Sequence, residues 1–300
     1  MNRLTNEQRV RILSCLVEGC SVRATCRMVG AAKGTVLSFL ADMGAVCQDL
    51  HDQTVRGLRT VRMQADEAWT FVHSKARNTK PHKRAAYGHG DAWTWSIIDA
   101  DSKLIIAWRV GERSAELARA VMLDAADRIA SEKVQVTTDG LNLYRSAVDR
   151  AFGDGADFAQ LDKLFSSSGA SPDTRYSPAV CIGCVKRVMR GSPRDGDIST
   201  SYAERQNLTI RMHNRRYTRL TNAFSKTREN LRHSMAIHFV YYNFIRIHQT
   251  LRVTPAMQAG VTNRLWELSD LADLLEAKER TIIGTEANKR GPYHPRKPAV

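Results

Sequence analysis

Hydrophobic spacing divides the chain into a helical start, a strand-rich middle and a helical end. Thr5 followed by Gln8 is a capping-box start, and Val10, Leu13 and Val17 then share one face of a helix that Gly19 closes. Ser21 caps a second helix over 22–29, stopped by Gly30, and a third short helix runs through Lys33, Thr35, Val36 and Leu40. Helix, tight glycine turn and helix give a helix-turn-helix outline, a small all-α unit over residues 1–60. In its last helix Val36 and Leu40 point inward, while Lys33, Thr35 and Ser38 lie toward the exposed side.

From Val61 the period changes to two. Residues 61–66 alternate apolar and polar, and AWTWSII and LIIAWRV, separated by the turn-prone DADSK, complete a three-stranded meander. A helix over 114–129 leads to a β-rich run, 134–138, that ends at Asp139-Gly140; a helix (141–151) and a strand (157–165) follow. Residues 166–199 are rich in Ser, Pro, Gly and Asp and read as one long connection. Helices are expected over 202–217 and 226–247, then a Thr254-Pro255 helix start, an amphipathic stretch from Ser269 and a loose basic tail. Alternating strands and helices make the fold class α/β, with the mixed sheet in residues 61–252 and C-terminal helices in 253–300.

Charge changes the picture next. Lys and Arg number 45 against 31 Asp and Glu, a net +14 that favours polyanionic partners. The start of the chain lacks a signal peptide's apolar run, and its best apolar stretch, AIHFVYYNFI, is short and interrupted, so no membrane association and a cytoplasmic location are expected. Six cysteines in such a chain read as buried hydrophobes or free thiols. Cys181 and Cys184 form a single pair, whereas a closed zinc site needs four ligands. Trp93, Trp95 and Trp108 are assigned to the core.

Three acids stand out. Asp66 shares the polar parity of its strand with Arg62 and Gln64, Asp139 ends a second strand, and Glu204 falls in the first turn of a helix. If the two strands are neighbours and the helix packs across them, the carboxylates converge. Such a cluster repels itself unless a hard cation neutralises it, which points to Mg²⁺, with Mn²⁺ as substitute, and to phosphoryl transfer. Each acid taken singly could instead cap a turn or meet a helix dipole. Glu67 rivals Asp66, but its parity groups it with Met63, Ala65, Trp69 and Phe71.

DEAWTF (66–71), TTDGLNLY (137–144), ISTSYAERQNLTIRMHNRRYTRLTNAFSK (198–226) and YNFIRIHQTLRVTPA (242–256) together resemble the DDE transposases of the insertion sequence one family. The resemblance spans roughly 61–260. It implies a ribonuclease-H-like catalytic domain, with Asp66, Asp139 and Glu204 as the catalytic and metal-holding triad. It further implies DNA cleavage and strand transfer at the inverted-repeat ends of a mobile element. Joining two ends into target DNA calls for a homodimer or larger assembly on double-stranded DNA. A DNA-binding regulator with an inactive catalytic-like domain, or a structure-specific nuclease on the same fold, are the alternatives.

DNA contacts are expected where cations gather. From Glu204 to Arg252 ten Lys and Arg face two acids. A helix face with Arg211 and Arg215 one turn apart, joined by Arg216, Arg219 and Lys226, suits phosphates beside the acids. Asn207, one turn beyond Glu204, suits a metal ligand's orientation or a phosphate, and His248 a phosphate or the site's surroundings. Lys33, Thr35 and Ser38 suit recognition of particular sequences.

Overall fold

A computed structural model describes residues 4–165 and 181–289. The expected basic tail from residue 290, and the part of the long connection at 166–180, lie outside the described residues.

The first helix, α1 (Asn6–Val17), opens with the expected reciprocal capping box between Thr5 and Gln8. Ser21 caps α2 (Val22–Val29), which ends at Gly30 in the left-handed region. The third helix is not short: α3 spans Lys33–Thr54, because Phe39, Met43, Cys47 and His51 prolong the buried stripe begun by Val36 and Leu40. Lys33, Thr35 and Ser38 are exposed on its first turns.

The strand-rich middle contains β1 (Arg62–Val72), α4 (Pro81–Tyr87), β2 (Gly90–Asp99), β3 (Ile105–Gly111), α5 (Ala115–Arg128), β4 (Val134–Asp139), α6 (Leu143–Phe152), β5 (Ala156–Phe165) and β6 (Cys181–Arg190). These strands form one six-stranded mixed sheet in the order β3-β2-β1-β4-β5-β6. Strands β1, β4 and β5 are parallel, while β2 and β6 run antiparallel to their neighbours. This mixed α/β architecture is compatible with the ribonuclease-H-like expectation. Trp95 and Trp108 are buried as assigned, and Trp93 is half-buried.

Strand β6 corrects the reading of 166–199 as unbroken connection. It pairs with β5 at the sheet's edge, but its side chains are mostly exposed, so no alternation of buried and exposed positions marks it. Ion pairs of Arg187 with Asp162 (2.8 Å) and Arg190 with Asp149 (3.1 Å) fasten it instead.

Helix α7 (Ser201–His213) crosses the sheet over β1 and β2, while α5 and α6 cover the opposite face. The next helix is shorter than 226–247: α8 spans Arg228–Val240, with Thr227 as its cap, and gives way to a π-helical turn at Tyr241–Ile245. That turn carries buried Asn243, whose side chain accepts from the Ile105 amide (2.9 Å) and donates to the Ile105 carbonyl (3.0 Å). The short α9 (Pro255–Gln258) and the long α10 (Leu268–Lys289) follow.

Buried side chains of α1, α3, the sheet, α8 and α10 belong to one continuous core. Helices α3 and α8 lie so close that a Cβ on Gly44 would come within 2.4 Å of the His233 Cβ. Buried Arg128 of α5 binds Asp124 (2.8 Å), Asp52 of α3 (2.5 Å) and the carbonyl of Val55 (3.1 Å), tying α3 to the sheet's helical cover. Among the described residues no single helix is long and apolar enough to cross a membrane.

Candidate active site

The parallel pairing of β1 with β4 matches Ala65 with Thr138, so Asp66 and Asp139 follow side by side on neighbouring strands. Asp139 is the last residue of β4 and its Oδ1 accepts the Leu141 amide at 3.1 Å. Asp66 Oδ1 accepts the Glu67 amide at 2.7 Å, and Oδ2 accepts from Asn207 Nδ2 at 2.8 Å. Gln64, two residues before Asp66 and therefore on the same face, accepts the amides of Tyr202 (2.8 Å) and Ala203 (3.1 Å). It thereby satisfies donors that the first turn of α7 leaves unpaired, and fixes that turn over β1.

Glu204 lies in this turn. Its carboxylate accepts from the Thr200 hydroxyl at 2.6 Å and pairs with the Lys163 ammonium of β5. It stands close enough to Asp66 and Asp139 to raise the pKa of both. Glu67, on the opposite face of β1, binds Arg113 (2.7 Å) and the Tyr144 hydroxyl (3.0 Å).

The electrostatics are those of crowded, buried acids. Burial, then the charge of Glu67, and then Asp139 and Glu204 push Asp66 up to about 7, against the opposing Glu67 amide. Burial chiefly raises Asp139 too, with Asp162 and Glu204 adding and the Leu141 amide and Arg113 opposing. Glu67 is raised by burial and by Asp139, while Arg113 and Tyr144 counteract. Asp66, Glu67 and Asp139 can each offer one carboxylate oxygen with all three within 4.8 Å of one another. An all-oxygen, anionic donor set whose members repel one another fits a hard divalent cation. Glu67 is thus closer to this group than its strand parity implied.

The expected DNA-contact residues separate into three places. Asn207 and half-buried Arg211 face Asp66; burial lowers the Arg211 pKa, Arg219 adds to this, and the charge of Asp66 opposes it. Arg215 does not continue that helix face, because α7 ends at His213 and Arg215 begins a separate 3₁₀ turn, Arg215–Tyr217. Arg215 and Arg216 instead line a groove of about 610 Å³ with Lys33 and Lys226, which joins α3 to the segment before α8. Arg216 also donates to Ser234 (3.0 Å). Thr35, Ser38 and Arg219 are exposed near these elements without lining the groove. His248 stands apart, at a turn closed by hydrogen bonds with Val253 and Arg252.

Sequence reasoning missed Lys163 and Arg113, which no local motif marks, and gave no role to Tyr144, which ends TTDGLNLY. Gln64 was within reach, since it shares the parity of Asp66. No family model and no curated protein matches the chain. Among solved structures, a piggyBac transposase synaptic complex with hairpin DNA, determined by cryo-EM, is similar at 10% sequence identity and a TM-score of 0.36, over 97% of this chain and 74% of that one.

Proposed function

We propose that the chain is a divalent-metal-dependent polynucleotidyl transferase, a DDE transposase that cuts and joins DNA at the ends of an insertion sequence. In this reading the sheet is ribonuclease-H-like and residues 1–60 select the DNA. Its substrates are double-stranded terminal repeats and target DNA, and the working form is a homodimer or larger. The observation that carries it is the in-register pairing of β1 with β4, which sets Asp66 beside Asp139 under the first turn of α7, where Glu204 lies.

Asp66 and Asp139 would hold Mg²⁺ or Mn²⁺ together with Glu204; the carboxylate oxygen within 4.8 Å of theirs is that of Glu67, while Glu204 pairs with Lys163. When bound, such a cation polarises phosphate oxygens and lowers the pKa of water. The chain's own groups do the rest. Asn207 fixes the rotamer of Asp66. Thr200 orients Glu204, and Lys163 neutralises it until a cation takes its place. Arg211, one turn beyond Asn207, offers a cation to the strand being cut. A pure DNA-binding protein would gain nothing from burying mutually repelling acids.

Purified protein with Mg²⁺ and labelled duplex carrying the element's ends tests the reading. Wild type should nick and join them, and Asp66→Asn should lower the rate about a thousandfold or more. Product undiminished by Asp66→Asn sinks the assignment. Cut ends that are never joined would make the enzyme a nuclease.

A further inference from the structure

Across α7 from the acids lies a second groove, of about 530 Å³, lined by Lys103, Tyr202, Arg205, Gln206, Arg246 and His248 among others. Its volume is in the range of small-ligand sites. Among the described residues, every charged one that lines it is cationic. Lys103, 8% exposed, has its ammonium 3.3 Å from the Tyr202 ring centroid and donates to the Ala100 carbonyl, with no carboxylate partner among the described residues. Its backbone is left-handed, at φ 63°, a conformation that non-glycine residues adopt at a cost. Arg205 and Arg246 likewise pair with no carboxylate among the described residues.

Gln206 points to what such a groove takes. It is 2% exposed, and its Nε2, a donor, has no hydrogen-bond partner among the described residues. A buried donor left unpaired is costly, so it asks for an acceptor. His248 Nδ1 is also buried without a partner among the described residues. Its imidazole is held below its ordinary pKa by burial and by Lys103, Arg246 and Arg205, and no acid offsets them. Two guanidinium groups, an ammonium and an unpaired amide together describe a receptor for a multi-oxygen anion, of which phosphate is the natural example.

We propose that this groove is a phosphate-binding site that grips the backbone of the DNA strand as it passes the far side of α7. Glu204 and Arg205 are consecutive, so one turn of helix presents an acid to the carboxylate cluster and a cation to the groove. That the phosphate belongs to DNA rests on the transposase reading; the anion receptor itself does not.

The test measures affinity of the full chain for a fluorescent duplex across a KCl series without divalent metal, for wild type, Arg205→Gln and the Arg205→Gln, Arg246→Gln pair. Arg205 is exposed and serves as the variant least able to disturb folding. Each lost phosphate contact should weaken binding about tenfold near 0.1 M salt and flatten the slope of log affinity against log salt by about 0.9. Unchanged affinity and slope in Arg205→Gln, with folded protein by circular dichroism, overturns the proposal even if wild type still cuts DNA. A parallel arm offers inorganic phosphate and a nucleoside triphosphate as competitors. If either binds wild type more tightly than the duplex does and loses affinity in Arg205→Gln, the site serves a free phosphate compound, and the DNA assignment fails.

Discussion

At the scale of single residues, the carboxyl of Asp66 gives the site a pH signature. Its pKa in the fold, about 7, lies above the ordinary carboxylate range, so the neutral form is favoured by folding. The stability this contributes is fully present below about pH 4 and is lost as pH rises through about 7. Asp66→Asn mimics the neutral form at every pH. In a chelator, the variant and wild type should therefore melt together near pH 4, and the variant should melt several degrees higher near pH 8. Saturating Mg²⁺ should restore wild type alone. Equal melting temperatures at both pH values would contradict the crowding of Asp66 with Glu67, Asp139 and Glu204. Lys163 carries a related expectation. Its ammonium holds Glu204, and Lys163→Met removes that competitor and one positive charge from beside the acids. Calorimetric titration with Mn²⁺ should then show affinity higher by about fivefold to tenfold, and weaker binding would mean that Lys163 helps to build the site.

Among elements, the close approach of α3 and α8 decides what a small change does. Gly44→Ala would gain helix propensity worth about 1 kcal/mol, yet the added methyl meets the backbone and Cβ of His233 rather than a movable side-chain tip. The net effect should be destabilisation of about 1–3 kcal/mol, read as a lower denaturation midpoint; a rise would show that the helices separate freely. The sequence reading carried α3 only through Leu40, and Gly44 inside the longer helix lets two helices touch. The alternation in 61–66 revealed β1, and the parity of Asp66 and Gln64 told which face meets α7, because burial on both sides enforces register. Strand β6 left no such trace: an edge strand held by backbone pairing and ion pairs needs no buried stripe. The π-helical turn after α8 was equally hidden, and the pairing of its Asn243 with Ile105 joins residues far apart in sequence. Glu67 illustrates the remaining gap. Parity assigns a side chain to a face, but a glutamate where the neighbouring strand β4 stops can still approach acids on the other side.

For the whole molecule, the groove shared by Lys33, Arg215, Arg216 and Lys226 links the N-terminal helices to the segment that follows α7, so one DNA duplex could touch both. The two sets of residues should nevertheless fail differently. Lys226 is an exposed cation whose ammonium lies 3.8 Å from the Phe224 ring centroid, and under the proposed function it would touch phosphate and carry no sequence information. Thr35 and Ser38 are exposed hydroxyls on the first turns of α3, of a length suited to base edges in the major groove. Binding to a terminal-repeat duplex and to a scrambled duplex of equal length, measured in competition at fixed salt, separates these roles. Lys226→Gln should weaken both by a similar factor and leave their ratio intact. Thr35→Ala with Ser38→Ala should lower the ratio by about tenfold to a hundredfold, as expected for loss of one or two base contacts, while binding to the scrambled duplex barely moves. If instead the paired hydroxyl variant weakens both duplexes equally, α3 serves only to hold the backbone, and recognition of the ends must be sought in the catalytic sheet and its arginine-rich flank.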